Sequence, residues 1–341
     1  MIRRYSFVLA SLFAFAGAAR AAPQVCTLGS AGAGTPGTLL CRDAVSGALT
    51  QSFALGDTVA GKGGTGGTLS HRGDTVLVTN QASGAVVFRR FGARLVRRYD
   101  LDTGGAGTLS GAVSDKGQYV VTADHILFFA NGRSRASGSR ALVVGDGSAA
   151  QVTVSGEFAY VSEKSGTLEA FPLGADGNLI GAGANVAGIP AGVIVGITGL
   201  EGLVVAPVAH LASNANQSII PVASGLEQVQ LVETKEVAAC WAANDGHEAC
   251  ITNPGSMTVS CGSFGPGGFR SYTSAAAHLA GETLLDVDLD GGFAVAAGTH
   301  NGAAVLTTFV RSHDTGDFLT AIGEVAAGAP VTTGALVLAA Y

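Results

Sequence analysis

The feature that most constrains this chain is a strand–turn–strand unit that returns along its length. Its clearest copy runs from Arg72 to Phe88, RGDTVLVTNQASGAVVF. A glycine turn leads into a β-branched strand (Thr75 to Thr79), a second turn (Asn80 to Gly84) and another strand (Ala85 to Phe88). Lys116-Gly117 opens QYVVTADHILFF, Ser155-Gly156 opens EFAYVSEKSGTLEAF, and Glu201-Gly202 opens LVVAPVAHLA. Asp245-Gly246 opens HEACITNPGSMTVS, and Asp290-Gly291 opens GFAVAAGTHNGAAVLTTF. The spacing is roughly 40 to 50 residues, the period of a four-stranded propeller blade. A repeat array folds as one quasi-circular unit, so 341 residues need not be two or three domains.

Composition agrees with an all-β chain. Apolar residues make up 47% and charged residues 13%, enough to bury a large core. The 51 glycines show no three-residue period, which excludes collagen and indicates many turns. Short runs of Val, Thr, Leu and Ala broken by Gly read as strands, and long amphipathic helical periodicity is hard to find after residue 25.

The first residues read as a targeting segment. Arg3 and Arg4 form a basic start, Phe7 to Ala16 is an apolar stretch, and Ala19-Arg20-Ala21 is a small-residue cleavage site. Residues 1–21 are therefore expected to be a signal peptide and residues 22–341 one propeller domain. Loss of Arg3, Arg4 and Arg20 takes the net charge from −6 to −9, which disfavours a nucleic-acid partner. The apolar run is too short to span a bilayer comfortably. The expectation is a secreted or periplasmic monomer with a small-molecule substrate or ligand and no membrane span.

Seven B–C strand pairs can be placed: Val25 to Asp43, Thr75 to Arg89, Gln118 to Phe129, Glu157 to Phe171, Leu203 to Val229, His247 to Phe264, and Gly292 to Val310. Inner A strands precede them (Leu109 to Ser114, Gln151 to Ser155, Leu284 to Leu289) and outer D strands follow (Ala48 to Leu55, Arg94 to Leu101, Leu319 to Val325). The first pair lacks an A strand, while Thr333 to Tyr341 is an apolar strand with no pair after it. It would supply the missing strand and close the ring, which removes exposed edges. Cys26 and Cys41 fall in adjacent strands of the first blade, as do Cys250 and Cys261 in the sixth, predicting two cross-strand disulfides with Cys240 left over. A Cys240–Cys250 bridge is the rival, because sequence does not fix connectivity.

These residues resemble the lactonase family of seven-bladed propellers, which includes 6-phosphogluconolactonases and carboxymuconate cyclases. The resemblance rests on VLVTNQASGAVVF, on YVSEKSGTLEAFPLGADGNL with its D-G-x-L turn, on Ala239-Cys240-Trp241 and on GKGGTGGTLS at Gly61 to Ser70. It is closest to the secreted branch. It implies a lactonase (a hydrolase) or a lactonising isomerase. The muconate-lactonising members depend on a His, a Glu and arginines lining the mouth. Glu163 matches the glutamate, Gln151 stands where an Arg is expected, and Gly111 to Ser114 carries no histidine.

The B–C turns belong to one face of the disc and carry Asn80, Asp124-His125, Glu163-Lys164, His210, Asn253 and His300. Convergence there would build a site for acid–base chemistry on a lactone or an enol. Glu163, Lys164, His210 and His300 are the candidate catalytic residues, with Lys164 able to stabilise an oxyanion. Gln151, Asn80, Asp124, His125, Asn253 and Trp241 are the candidates for substrate binding. The plain alternative is turn polarity and, for Trp241, packing. No cofactor is expected. Asp286-Val-Asp288-Leu-Asp290-Gly291 has the opening spacing of a calcium loop, but Ala297 stands where such a loop needs Glu. Arg89, Arg90, Arg94, Arg97 and Arg98 read as charge protecting the outer edge of the second blade. A non-catalytic binding propeller is the alternative function. No G-x-S-x-G elbow, H-E-x-x-H or paired C-x-x-C occurs, so a serine hydrolase or zinc enzyme has no support.

Overall fold

The computed structural model describes residues 22–31, 34–59, 68–79, 81–200, 202–209, 219–265, 268–279, 281, 283–311, 319–329 and 331–339. Residues 1–21, expected to be a signal peptide, lie outside them, as do Asn80 and His210. The described residues form seven four-stranded antiparallel blades in a ring, the seven-bladed β-propeller that the repeat predicts.

Successive side chains of a strand point to opposite faces, and here both faces of a blade are covered by its neighbours. In the B strand Thr75–Val78, Val76 and Val78 join the cluster between blades 1 and 2. Leu77 turns the other way and joins the cluster between blades 2 and 3. The core is thus a set of apolar clusters between adjacent blades, which explains why the repeat reads as continuous apolar runs rather than polar alternation. The turns between A and B strands use glycine because the chain there takes positive φ, as at Gly73 (+55°) and Gly246 (+99°).

Blade 5 departs from the pattern. Its B strand is broken into Leu203–Val205 and Val208–Ala209 around Pro207, and Val193–Ile194 pairs with the second piece. Proline supplies no amide, so the ladder is interrupted there.

Blade 1 takes its inner strand from the chain's other end. Val331–Leu338 pairs antiparallel with Gln24–Ser30, so that Val25 faces Val337. Leu336, Val337 and Leu338 are fully buried. The cross-strand disulfides are Cys26–Cys41 and Cys250–Cys261, with Cys240 free. The first bridge lies in the cluster between blades 1 and 2, the second between blades 6 and 7.

An inner strand has a partner on one side only, so its other edge presents unpaired amides to the central channel. The closing strand is gripped along that edge by the strand Thr283–Asp290 of blade 7. Residues two apart share a face, and Asp286, Asp288 and Asp290 form such a row. Ala335 N–H donates to Asp286 Oδ2 (3.1 Å), Val337 N–H to Asp288 Oδ2 (2.8 Å) and Ala339 N–H to Asp290 Oδ2 (2.8 Å). The D-x-D-x-D spacing that suggested a calcium loop is an inner strand whose carboxylates clasp the ring. Elsewhere neutral side chains make the same kind of cap. Val152 N–H donates to Ser110 Oγ (3.3 Å), and Ile197 N–H to Gln151 Oε1 (3.1 Å).

Candidate functional site

A cavity of about 930 Å³ occupies the central channel. Inner strands of six blades wall it, including Leu69–Arg72, Ala149–Ser155 and Thr283–Asp290. It reaches the A–B turns at Gly73-Asp74, Asp245-Gly246 and Asp290-Gly291, and among the described residues no B–C turn lines it. At the opposite end, Ala150, Val195 and Trp241 cluster with Val193, Cys240 and Leu285 where their inner strands begin. The cavity therefore lies against the face that the sequence marks as plain turns.

His71 and Asp288 meet within this cavity. His71 sits on the short inner strand of blade 2, and its Nε2 lies 3.4 Å from Asp288 Oδ1. The other oxygen of Asp288 receives the Val337 amide, which fixes the carboxylate. Nε2 faces an anion and so holds the proton, while Nδ1 has no hydrogen-bond partner among the described residues. Burial alone would push the His71 pKa down. The attraction and hydrogen bond of Asp288, with Asp290 behind it, outweigh both that and the opposing Arg90, and hold it above its ordinary value.

The next step of the aspartate row binds Arg90, whose Nη1 lies 2.7 Å from Asp290 Oδ2. Arg90 also donates through Nε to Gly92 O (2.8 Å) and through Nη2 to Ala339 O. It is buried, and it joins blade 2 to the clasp instead of guarding an outer edge. Arg311 is placed likewise, with Nη1 3.2 Å from Glu248 Oε2 and Nη2 paired to Asp245. Asp286 is buried deepest. Burial raises its pKa to about 8, against the two amides of Val287 and Ala335 that favour the charged form.

The residues expected on the B–C face bind mainly their own surroundings. Glu163 closes the strand Phe158–Glu163 and is 1% exposed. Ser148 Oγ donates to its Oε2 at 2.8 Å, its Oε1 is unpaired, and burial raises its pKa to about 7. Lys164 is exposed beside it. Asp124 and His125 form an exposed pair at 3.0 Å, and His300 pairs with Glu324 at 2.8 Å. Asn253 is fully buried and donates to Thr258 Oγ1 and Ser260 Oγ. Trp241 is buried in the apolar cluster beside Cys240, whose thiol burial pushes up to about 12. Gln151 alone of these lines the cavity, with Oε1 held by the Ile197 amide. Among the described residues no group of three or more His, Cys, Asp or Glu is placed to hold a metal ion.

Sequence reasoning did not single out His71. A lone histidine at the end of a four-residue strand carries no motif, and its partner lies five blades later in the chain.

Solved structures share the architecture at low identity. A candidate 6-phosphogluconolactonase from Bacteroides uniformis ATCC 8492 matches with TM-score 0.60 and 14% identity, over 92% of this chain and 99% of that one. A second, from Bacteroides fragilis NCTC 9343, gives 0.57 and 13%, over 93% and 98%. A chain of the nidogen/laminin complex gives 0.51 and 11%, over 78% and 99%. What is shared is the fold. No protein-family model and no curated sequence matches the chain.

Proposed function

We propose that this protein is a secreted or periplasmic lactonase-like propeller that acts on a small lactone or carboxylated ring compound held in the central channel. The observation that carries the reading is the polar cavity of about 930 Å³ ringed by inner strands. Its size falls at the upper end of the roughly 300–1,000 Å³ usual for ligand pockets. Its walls combine apolar side chains with an imidazole, carboxylates and strand-edge amides, a set suited to acid–base chemistry at a carbonyl. The candidate 6-phosphogluconolactonases among the structural neighbours agree with a lactone substrate. The two disulfides fit an oxidising compartment, which supports export.

The test is hydrolysis of a lactone panel by the mature protein, followed as acid release with and without a chelator. Turnover that survives the chelator supports chemistry by side chains. A second reading, a binding propeller, draws support from the burial of Glu163, the carboxylate that the resemblance marks for catalysis. No turnover, together with a saturable change in the fluorescence of Trp241, the sole tryptophan, would favour that reading.

A further inference from the structure

We propose that His71, oriented by Asp288 and by the closing strand behind it, is the general base of the channel. This rests on the channel being a hydrolytic site. The chain of contacts is explicit. Val337 N–H holds Asp288 Oδ2 at 2.8 Å, Asp288 Oδ1 faces His71 Nε2 at 3.4 Å, and His71 Nδ1 is left without a described partner. An imidazole whose far nitrogen is fixed by a carboxylate has one tautomer and presents a lone pair at the other nitrogen. Both side chains lie among the residues that line the cavity. Their side chains are 13% and 11% exposed, enough for water to reach them but little enough to strengthen their interaction.

The step balances without a co-reactant. His71 Nδ1 takes a proton from water as the water oxygen bonds to the lactone carbonyl carbon. The ring C–O bond then breaks, and the departing ring oxygen takes the proton back from the imidazolium. The product is the open hydroxy acid. Inner-strand amides and the Gln151 amide nitrogen, whose partner oxygen is tied to Ile197, are the neutral donors available to the oxyanion.

The arrangement also makes ring closure part of the active site. The amide that fixes Asp288 belongs to a strand delivered from the far end of the chain, so the base is in place only when the ring is shut.

The groups that face His71 are Asp288 and Asp290 from blade 7 and Arg90 from its own blade. Because the carboxylates hold the imidazolium, the base form appears only above the usual imidazole range, and turnover rises with pH there. The experiment measures kcat and KM for glucono-δ-lactone and a carboxylated γ-butyrolactone from about pH 6 to about pH 9. H71Q, D288N and E163Q are compared after their unfolding midpoints show each is folded. H71Q is expected to lower kcat by about 100-fold or more, the usual contribution of a positioned base, with little change in KM. D288N keeps an acceptor for Val337 but loses the charge. It moves the rising limb to lower pH and lowers the His71 imidazole titration seen by NMR. Turnover surviving in H71Q overturns the assignment and leaves the channel reading standing, whereas turnover lost in E163Q while H71Q retains it overturns both, because Glu163 does not line the channel. An unmoved His71 titration in D288N removes Asp288 as the orienting group. No turnover by the unsubstituted protein removes the hydrolase reading and the base together.

Discussion

Removing the Asp290 carboxylate should unlock the clasp, and the cost can be worked from the contacts. Asp290 accepts the Ala339 amide at 2.8 Å and pairs with Arg90 at 2.7 Å. The Arg90 side chain is 5% exposed and that of Asp290 10%. In D290A the buried guanidinium loses the Asp290 counter-charge, and the Ala339 amide loses this acceptor. Breaking one partner of a buried pair costs about 3–5 kcal/mol, because an uncompensated charge remains. An orphaned amide costs about 1–3 kcal/mol, and sharing one site makes the two overlap rather than add. The expected loss is about 4 kcal/mol. For 341 residues, at about 2.1 cal/mol/K per residue, that lowers the melting temperature by about 6 °C. The assay is urea unfolding of wild type, D290A, R90M and R90M/D290A. The double variant should recover about 2–3 kcal/mol relative to the sum of the single ones, since removing both charges leaves none buried alone. Additive losses, or a D290A loss below about 1 kcal/mol, would refute the claim that this pair secures the closing strand.

Ending the chain at residue 330 removes a strand that buries Leu336, Val337 and Leu338, and the expected product is insoluble or unfolded by circular dichroism. A milder form, L336A, opens a cavity in the cluster between blades 1 and 2 and should cost about 2–5 kcal/mol in urea unfolding. Reducing the Cys26–Cys41 bridge, which closes 15 residues, should cost about 3 kcal/mol, read as a lower unfolding midpoint in reductant. Asp286 supplies a pH test. Its pKa is raised when folded, so its contribution is complete below the ordinary carboxylate range and is lost as pH rises toward about 8. The wild-type unfolding midpoint should fall between acidic and alkaline pH, and D286N should flatten that fall. An equal fall in D286N would place the pH dependence elsewhere.

The blades were legible because their information is local. A glycine turn, an apolar strand and a second turn recur within one stretch such as Arg72 to Phe88, and counting copies gives seven. The closing strand was legible for a related reason, since an apolar strand without a successor matches a first blade without an inner strand. The disulfides followed from register, because Cys26 and Cys41 face each other across one hairpin, as do Cys250 and Cys261.

The channel was not legible, because its chemistry is assembled between blades. Arg90 appears in sequence among four other arginines, and only strand register turns it inward to Asp290 and Ala339. Asp286, Asp288 and Asp290 have the spacing of a metal loop, but that spacing is also the period of one strand face. What decides between the two is a row of amides contributed by residues 335 to 339. The same geometry separates Glu163 from His71. A motif can place a carboxylate at the end of a B strand, but whether it meets a cavity depends on which end of the channel is filled. Here the apolar cluster of Ala150, Val195 and Trp241 occupies the B–C end, and the imidazole of blade 2 faces open space. In a closed ring the inner strands run from one face to the other. On the proposed reading, filling one end leaves the chemistry to the polar groups that lie toward the other, among them His71 and the aspartates of the clasp.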